Sequence, residues 1–567
     1  MQRHSLFSFF LLIGLASGVL AQQTREISVD EYVDKMKAGW VGQMVGVGWG
    51  GPTEFKIRGK IMPAEMVPKW QPRMVNQFRQ DDIYVEMTFL QTLENHGLDC
   101  TIRQAGIDFA NSGYRLWHAN RYGRENLRCG IAPPDSGHPQ FNGHADDIDY
   151  QIEADYSGLI APGMPQLVIE LGEKFGRLMN YGDGTYAGQF VGGMYAEAFF
   201  EDDIVKIVEA GLKCIPSESQ YAEMIRDMLA WYEKNPDDWE KTWQWCEEKY
   251  HKSPDYTHGK CSGHGGDGAF SIDAKLNGAY ILMGLLYGKG DFDQTVIIST
   301  RCGQDSDCNP SNAAGILFTT IGFSKLPERF TSELDPTGKF SHTPYDFPKL
   351  IDVSTTLVRQ AVERSGGSVR KSGEGQEIFV IPVVAPKPSK FEPVYNPGPI
   401  ANSRFSEEEM EQIKVEGAPK PANLGEMPAL VEKFAPGWKI RDCGPDMSPG
   451  LRNAYRGRKN VLITHPLKEG HGCTLYRKIS VPKDGKTLLK LVVGHDTRGD
   501  WTLVAKVAGT ELVNQKIGPK TVEDGWATIT IDLGDFAGTD VDVELINQPN
   551  GWSWEAGCWG EISLVTE

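Results

Sequence analysis

Between Val29 and Pro327 apolar residues recur every three or four positions, the spacing of helices that bury one face. Ile83, Met87, Leu90 and Leu93 predict a helix over Ile83–Asn95, and Tyr32, Val33 and Met36 predict one over Val29–Gly39. The same pattern predicts helices over Ile102–His118, Ser157–Met179, Phe190–Phe200, Asp203–Gly211, Tyr221–Asn235, Asp237–Tyr250, Ala274–Leu286 and Ile351–Arg364. Asn309 is placed as an N-cap and Pro310 as the first helical residue of an apolar run through Ile321. Ser365–Ser368 then breaks the helical pattern, and Glu377–Ile381 reads as a strand. Pro382–Pro399, with further prolines at 386, 388, 393 and 397, is a stiff linker or a segment laid along the helical part. From about Val431 the period changes to two. Thr487–Val493, Thr502–Val507, Thr510–Gln515, Ala527–Leu533 and Val541–Ile546 read as strands separated by turn residues, the pattern of a β-sandwich. The expected fold is therefore multidomain: an all-α domain over 22–350, a connecting segment over 351–430 and a C-terminal β-sandwich over 431–567.

Ahead of the helical part, Arg3 and His4 precede an apolar run from Leu6 to Leu20 and small residues ending at Ala21. That is the layout of a cleavable secretory signal over 1–21, too short and wrongly flanked for a membrane span. A secreted or periplasmic protein cleaved near Ala21 is expected, with no membrane span. A net charge of −18 disfavours nucleic acid as a partner. Fourteen tryptophans and 19 tyrosines offer flat faces that suit sugar rings, although core packing claims most of them. In the sandwich, Trp501, Trp526, Trp552, Trp554 and Trp559 are candidate sugar contacts or plain core. Ten cysteines permit disulfides in an oxidising compartment and show no close metal-type spacing; Cys302 and Cys308 form a bridge or are two buried thiols. The oligomeric state stays open.

Candidate chemistry sits in two acidic pairs. Gln80-Asp81-Asp82 opens one helix, and Asp305-Ser306-Asp307 lies on the polar turn before another. If the two helix mouths face each other, four carboxylates share a pocket, and charges that close need a cation among them. Oxygen-only ligands favour Mg²⁺ or Ca²⁺ over zinc. Each pair taken alone is equally explained by the helix dipole.

Asp305-Ser306-Asp307 before a small-residue helix, with Asp81-Asp82 opening an earlier helix that contains Met87-Thr88, resembles the ADP-ribosylglycohydrolase superfamily. A third stretch, Ala38 to Phe55 with its glycines, looks like that family's opening helix and glycine turn, which ends in a functional glutamate, here Glu54. The resemblance covers about residues 28–340 and implies an all-α fold with a metal pair at its centre. It places Asp81, Asp82, Asp305 and Asp307 as ligands of Mg²⁺ or Ca²⁺, one or two ions. The family usually carries threonine before its first Asp-Asp and threonine or serine after its second motif; this chain has Gln80 and Cys308. A hydroxyl ligand is lost at each, which favours one ion, and Gln80 and Cys308 are assigned to substrate contact. Where the family has an Asn-Gly-x-x-Met-Arg segment, the counterpart is Asp146-Asp147-Ile148-Asp149-Tyr150-Gln151-Ile152-Glu153-Ala154-Asp155.

On a helix, Asp149 and Glu153 would be neighbours, as would Gln151 and Asp155. The segment is either a solvated acidic face or a functional one, and the interleaved Ile148, Tyr150, Ile152 and Tyr156 favour function. Glu54, Asp149, Glu153 and Asp155 are therefore the candidate acids and bases. Trp117, His118, Asn120, Asn142 and His144 are placed near the substrate mouth, and Asp183 as a contact for a sugar hydroxyl. Cys261–Gly268 is glycine-rich but lacks the lysine and hydroxyl of a phosphate loop. Three functions compete: a secreted metal-assisted glycoside hydrolase acting on an O- or N-glycosidic bond, an ADP-ribosyl hydrolase, and a non-catalytic carbohydrate-binding protein. Export, and acids in place of arginine, favour the first.

Overall fold

The computed structural model describes residues 23–253, 256, 269–414, 424–444, 446–497, 499–522, 525–551 and 554–566. The expected signal over 1–21, the glycine-rich stretch Cys261–Gly268 and Trp552 lie outside the described residues.

A 22-residue helix, Val29–Gly50, runs through the helical half. Ser28 starts it, its hydroxyl accepting from Glu31 N at 3.1 Å, with Asp30 and Glu31 placed favourably for the helix dipole. The sequence pattern ends this helix at Gly39, but it continues through Gly42, Gly46 and Gly48. Its glycines permit close approach of the helix Cys308–Ile321. A Cβ on Gly42 would stand 2.5 Å from Ala314 O, one on Gly46 2.2 Å from Pro310 O, and one on Gly50 2.0 Å from Ser306 O. Each glycine costs about 1 kcal/mol of helix propensity relative to alanine, and the close packing offsets it.

The other helices largely follow the apolar pattern, with three corrections. Ile102–His118 is not one helix but Ile102–Asn111, a loop, and a separate helix His118–Arg128, because the Arg124 guanidinium donates to Ser112 O at 3.2 Å and Tyr114 O at 2.8 Å and holds the loop open. Ser157–Met179 is broken into Asp155–Leu159, Pro165–Phe175 and a 3₁₀ turn, with Gly163 in the left-handed region and Pro165 starting the second piece. The acidic stretch is likewise two short helices, Asp149–Ile152 and Asp155–Leu159. Asp149 and Glu153 still meet at Asn120, whereas Asp155 turns away to Tyr195 and Asn312.

Glu377–Pro382 is the middle strand of a small antiparallel sheet, flanked by Thr24–Ser28 and Ser368–Lys371, with Ile27 opposite Phe379. The proline-rich segment after it is laid along the helical half. Tyr186 OH donates to Lys390 O and accepts from Glu392 N, both at 2.8 Å, and Ser403 N donates to Asp135 at 2.7 Å.

After a helix, Met427–Phe434, the C-terminal unit forms two five-stranded antiparallel sheets. One runs in the order Thr510–Ile517, Trp501–Val507, Asp540–Gln548, Cys473–Ser480, Lys439–Arg441. The other runs Trp526–Asp532, Thr487–His495, Gly557–Thr566, Arg458–Thr464, Gly450–Tyr455. Trp501 and Trp559 are fully buried in its core, 5.3 Å apart, and their indole N–H groups donate at 2.9 Å to Gly494 O and to the Thr464 hydroxyl. As candidate sugar contacts these two are thus corrected to core. Trp526 is half-buried beneath Arg458, and Trp554 faces Arg121 of the helical half at 4.7 Å. No helix among the described residues is long and apolar enough to cross a membrane.

Candidate functional site

Hydrogen bonds between segments distant in sequence assemble the site. The loop after Gly51 is tied to the acidic turn by Phe55 N donating to Gln304 O at 2.9 Å and Gln304 N donating to Ile57 O at 3.0 Å. Thr53 and Ser306 join the same two segments through their hydroxyls at 2.9 Å. The Gln304 side chain then spans to the next segment, accepting from Ser271 N at 2.9 Å and donating to Ala269 O at 2.6 Å. Ile148 N donates to Ile272 O at 3.0 Å and Ala274 N to Asp146 O at 3.2 Å, which brings in the acidic stretch. Phe55 and Gln304 both sit in the left-handed region, a conformation that side chains adopt only when their surroundings hold them there.

These stitches, and the glycine seam between the two helices, bring together Glu54, Asp81, Asp82, Asp305, Asp307 and Cys308. Asp81 and Asp82 occupy the first turn of the helix Asp81–His96, and Asp307 is the N-cap of Cys308–Ile321. Asn309 is thus not the cap; its amide donates to Asn277 at 2.9 Å inside the protein. Ligand atoms of Glu54, Asp305 and Asp307 lie within 4.8 Å of one another, as do those of Asp82, Asp307 and Cys308. Asp82 is fully buried, and among the described residues no other residue's N–H or O–H donates to its oxygens; the Cys308 thiol is beside it. One oxygen of Asp305 is likewise buried without a partner.

Burial lifts every carboxyl here, and repulsion adds to it at all of them but Asp307. Asp82 and Asp305 are held well above the usual carboxylate range by burial and by Asp307. Asp81 is pushed to about 6 by burial and Asp307, and Glu54 to about 8 by removal of its carboxyl from water and by Asp307 and Asp81. Buried carboxylates that repel one another and lack donors fit a divalent cation, whose charge would supply what no side chain does. The oxygen-rich donor set fits Mg²⁺, Ca²⁺ or Mn²⁺. Cys308 is a free buried thiol, as is Cys302, and the two do not form a bridge.

A second layer stands behind the first. Asp149 accepts from Asn120 N at 2.8 Å and leaves its other oxygen unpartnered, and Glu153 accepts from the Asn120 amide. Burial lifts Asp149 to about 7 and Glu153 well above its usual range, with Asp81 adding to both. Asp155 lies deeper. It accepts from Tyr195 OH and from the Asn312 amide at 2.7 Å, and burial lifts it to about 7. Glu86, one helical turn inside Asp82, accepts from Gln43 and from Tyr156 N at 2.9 Å. Glu86 was absent from the sequence-derived set, although a lone glutamate four residues after Asp82 in an apolar helix is a readable signal.

The remaining candidates divide. Gln80 is half-buried at the start of the Asp81 helix, close to Gly51. Trp117 is 40% exposed, with Arg115 over its ring at 4.8 Å. His118 and His144 have rings 5.3 Å apart, and His144 Nδ1 is 2.5 Å from Asp147. Phe270 lies between them and the carboxylates, 6.2 Å from His118 and 5.2 Å from Phe55. Asn142 is fully buried, donating to Ala119 O and Met179 O and accepting from His144 N, so it shapes the turn from behind. Asp183 is buried beside Lys275 at 3.9 Å and accepts from Tyr221 N at 3.4 Å, away from the mouth.

With this geometry in place, comparison with known proteins adds the following. A family model described as ADP-ribosylglycohydrolase matches residues 28–363. A solved ADP-ribosylglycohydrolase-related protein complex is similar in structure at 13% identity and a TM-score of 0.39, covering 59% of this chain and 99% of its own. A family 35 carbohydrate-binding module from Paenibacillus barcinonensis is similar at 14% identity and a TM-score of 0.18, covering 23% of this chain and 94% of the module. Another family 35 module, from Clostridium thermocellum, is similar at 11% identity and a TM-score of 0.17, covering 23% of this chain and 92% of its own. No curated protein sequence matches the chain.

Proposed function

Because the chain belongs to the ADP-ribosylglycohydrolase family, we propose that it hydrolyses a glycosidic bond of an exported glycan or glycoside with the help of a divalent cation. The observation that carries this reading is Asp82, buried with no N–H or O–H donor from another described residue, among carboxylates that include Asp305 and Asp307. Asp81, Asp82, Asp305 and Asp307 would hold the cation, Mg²⁺ or Ca²⁺. When bound, such an ion supplies Lewis acidity and fixes vicinal sugar hydroxyls.

Glu54 does the acid–base work in this reading. It is the exposed member of the cluster, at the end of a loop stitched to the Asp305 turn, so its carboxyl meets a substrate entering from solvent. Asp149, with one free oxygen and a carboxyl near neutrality, is the second proton-handling group. Asn120 fixes Asp149 and Glu153 from its backbone and side chain. Asp155 and Glu86, each with specific donors, position the helices beneath and do not touch substrate. The aromatic residues Phe55, Phe270 and Trp117 supply faces for a sugar ring.

Removal of ADP-ribose from a modified side chain is the second reading. Arg58, Arg115 and Arg121, lying over Phe270, Trp117 and Trp554 at 5.2, 4.8 and 4.7 Å, supply cations that a pyrophosphate needs. Against it stand the buried acids of the 146–155 segment, which repel a phosphate. The deciding experiment screens EDTA-treated protein, with and without added Mg²⁺ or Ca²⁺, against plant and microbial glycans beside an ADP-ribosylated peptide. Metal-restored glycan cleavage supports the first reading; release of ADP-ribose alone replaces it with the second.

A further inference from the structure

A different donor set lies across the Phe55–Phe270 pair from Glu54. One ligand atom each from His118, His144 and Asp147 falls within 4.8 Å of the other two. Asp147 is fully buried on a fixed backbone: its residue forms an antiparallel bridge with Asp273, and the neighbouring Ile148 bonds Ile272. The two histidines are half-buried and close the solvent side. His118 begins its helix at φ 38°, a left-handed value that a non-glycine residue adopts at a cost of roughly 1–3 kcal/mol. That backbone aims its ring at His144, 5.3 Å between centroids, in place of the ordinary helical direction.

We propose that His118, His144 and Asp147 form a second metal site, selective for a borderline transition-metal ion such as Zn²⁺ or Co²⁺ and separate from the carboxylate cluster. Two imidazoles and one carboxylate form a nitrogen-rich set that prefers such ions to Mg²⁺ or Ca²⁺. A neutral imidazole keeps a lone pair that can bind an ion. Ligand atoms about 2.1 Å from a tetrahedral ion stand about 3.4 Å apart. The 2.5 Å His144–Asp147 contact therefore opens by roughly 1 Å on loading, within reach of side-chain rotation. In the metal-free form His144 Nδ1 and Asp147 share a hydrogen bond. An ion binding at Nδ1 takes that nitrogen's lone pair, which requires the ring proton on Nε2, and the carboxylate turns to the ion. Among the described residues these three side chains supply the ligands, at the mouth beside Trp117.

The test uses the full chain carrying Asp305→Asn and Asp307→Asn to silence the carboxylate cluster, stripped with EDTA, desalted and titrated with Co²⁺. One Co²⁺ per chain is expected, with the visible bands of a nitrogen-ligated four- or five-coordinate ion, displaced by Zn²⁺ and not by millimolar Mg²⁺ or Ca²⁺. His118→Gln and His144→Gln, added separately, each weaken Co²⁺ binding by at least about 100-fold, since losing a ligand exceeds the 10–100-fold typical of an outer partner. Circular dichroism establishes which variants fold, and either one that does is decisive. Absent visible bands, Co²⁺ displaced by Mg²⁺, or binding unchanged in a folded histidine variant overturns the proposal.

Discussion

Two clusters of buried carboxylates lie in the same helical half and are resolved in opposite ways. Asp183 and Asp273 surround Lys275, whose ammonium is 3.9 and 3.2 Å from them, with Asp146 also acting on it. Burial works against that lysine's charge, but the surrounding acids outweigh it and hold its proton more firmly than usual. Around Asp82, Asp305 and Asp307 no lysine or arginine among the described residues plays that part; burial lifts each carboxyl, and repulsion from Asp307 adds to it at Asp82 and Asp305. The chain neutralises the first set from within, and the second has no such counter-charge among the described residues. Buried acids are thus not in themselves a sign of function; buried acids without their own counter-charge are.

Changing each cluster should separate the two sharply. Asp305→Ala and Asp307→Ala should lower turnover by more than about 10³-fold, because the ion's Lewis acidity goes with them, while metal-free thermal stability holds or rises. A stability loss with turnover retained would erase the distinction. Glu54→Gln should lower kcat by about 10²–10⁴-fold with little change in KM; a pure KM effect would make it a binding residue. Lys275→Met should do the reverse of the aspartate variants, costing about 3–5 kcal/mol of folding stability by stranding two buried carboxylates, measured by denaturant unfolding. Saturating Mg²⁺ or Ca²⁺ at about 100 times its Kd should stabilise the wild type by about 2.7 kcal/mol and the Asp305→Asn, Asp307→Asn protein by nothing.

A further effect concerns pH. Asp155 titrates at about 7 in the folded protein against 3.8 ordinarily, lifted by burial, with Tyr195, Asn312 and Glu86 facing it. Between pH 4 and 7 the unfolded chain has released this proton and the folded chain still holds it. The contribution to stability therefore falls as pH rises, by up to about 1.4 kcal/mol per unit, and is level above 7. Unfolding of wild type and Asp155→Asn at pH 4.5 and 7.5 should show the variant gaining relative stability at the higher pH.

The candidate ligand acids were readable in the sequence because each pair is local: Asp81-Asp82 and Asp305-x-Asp307 announce themselves within three residues, and a helix start accounts for their position. What separates Asp155 from Asp149 was not readable. Asp155 is held by Tyr195 and Asn312, 40 and 157 residues away, and only folding brings those donors in. Asp183 failed to reach the mouth for the same reason, since Lys275 claims it from a distant helix. In the sandwich the period-two runs located five strands, but Gly450–Tyr455, Arg458–Thr464 and Cys473–Ser480 escaped notice, being interrupted by charged and exposed residues that dilute the alternation. Glycine misled in one place. The helix expected to end at Gly39 runs on through Gly42 and Gly46, where the missing side chain is what admits another helix.

That seam makes the spacing between Glu54 and Asp307 a matter of backbone thickness. Gly46 and Gly50 rest against Pro310 and Ser306 with no side chain to flex or repack, so the front and back halves of the carboxylate cluster are set against each other like the jaws of a gauge. One methyl group at Gly46, remote from every proton transferred, would widen the jaws and detune the grip on a small ion before any reacting group had been altered.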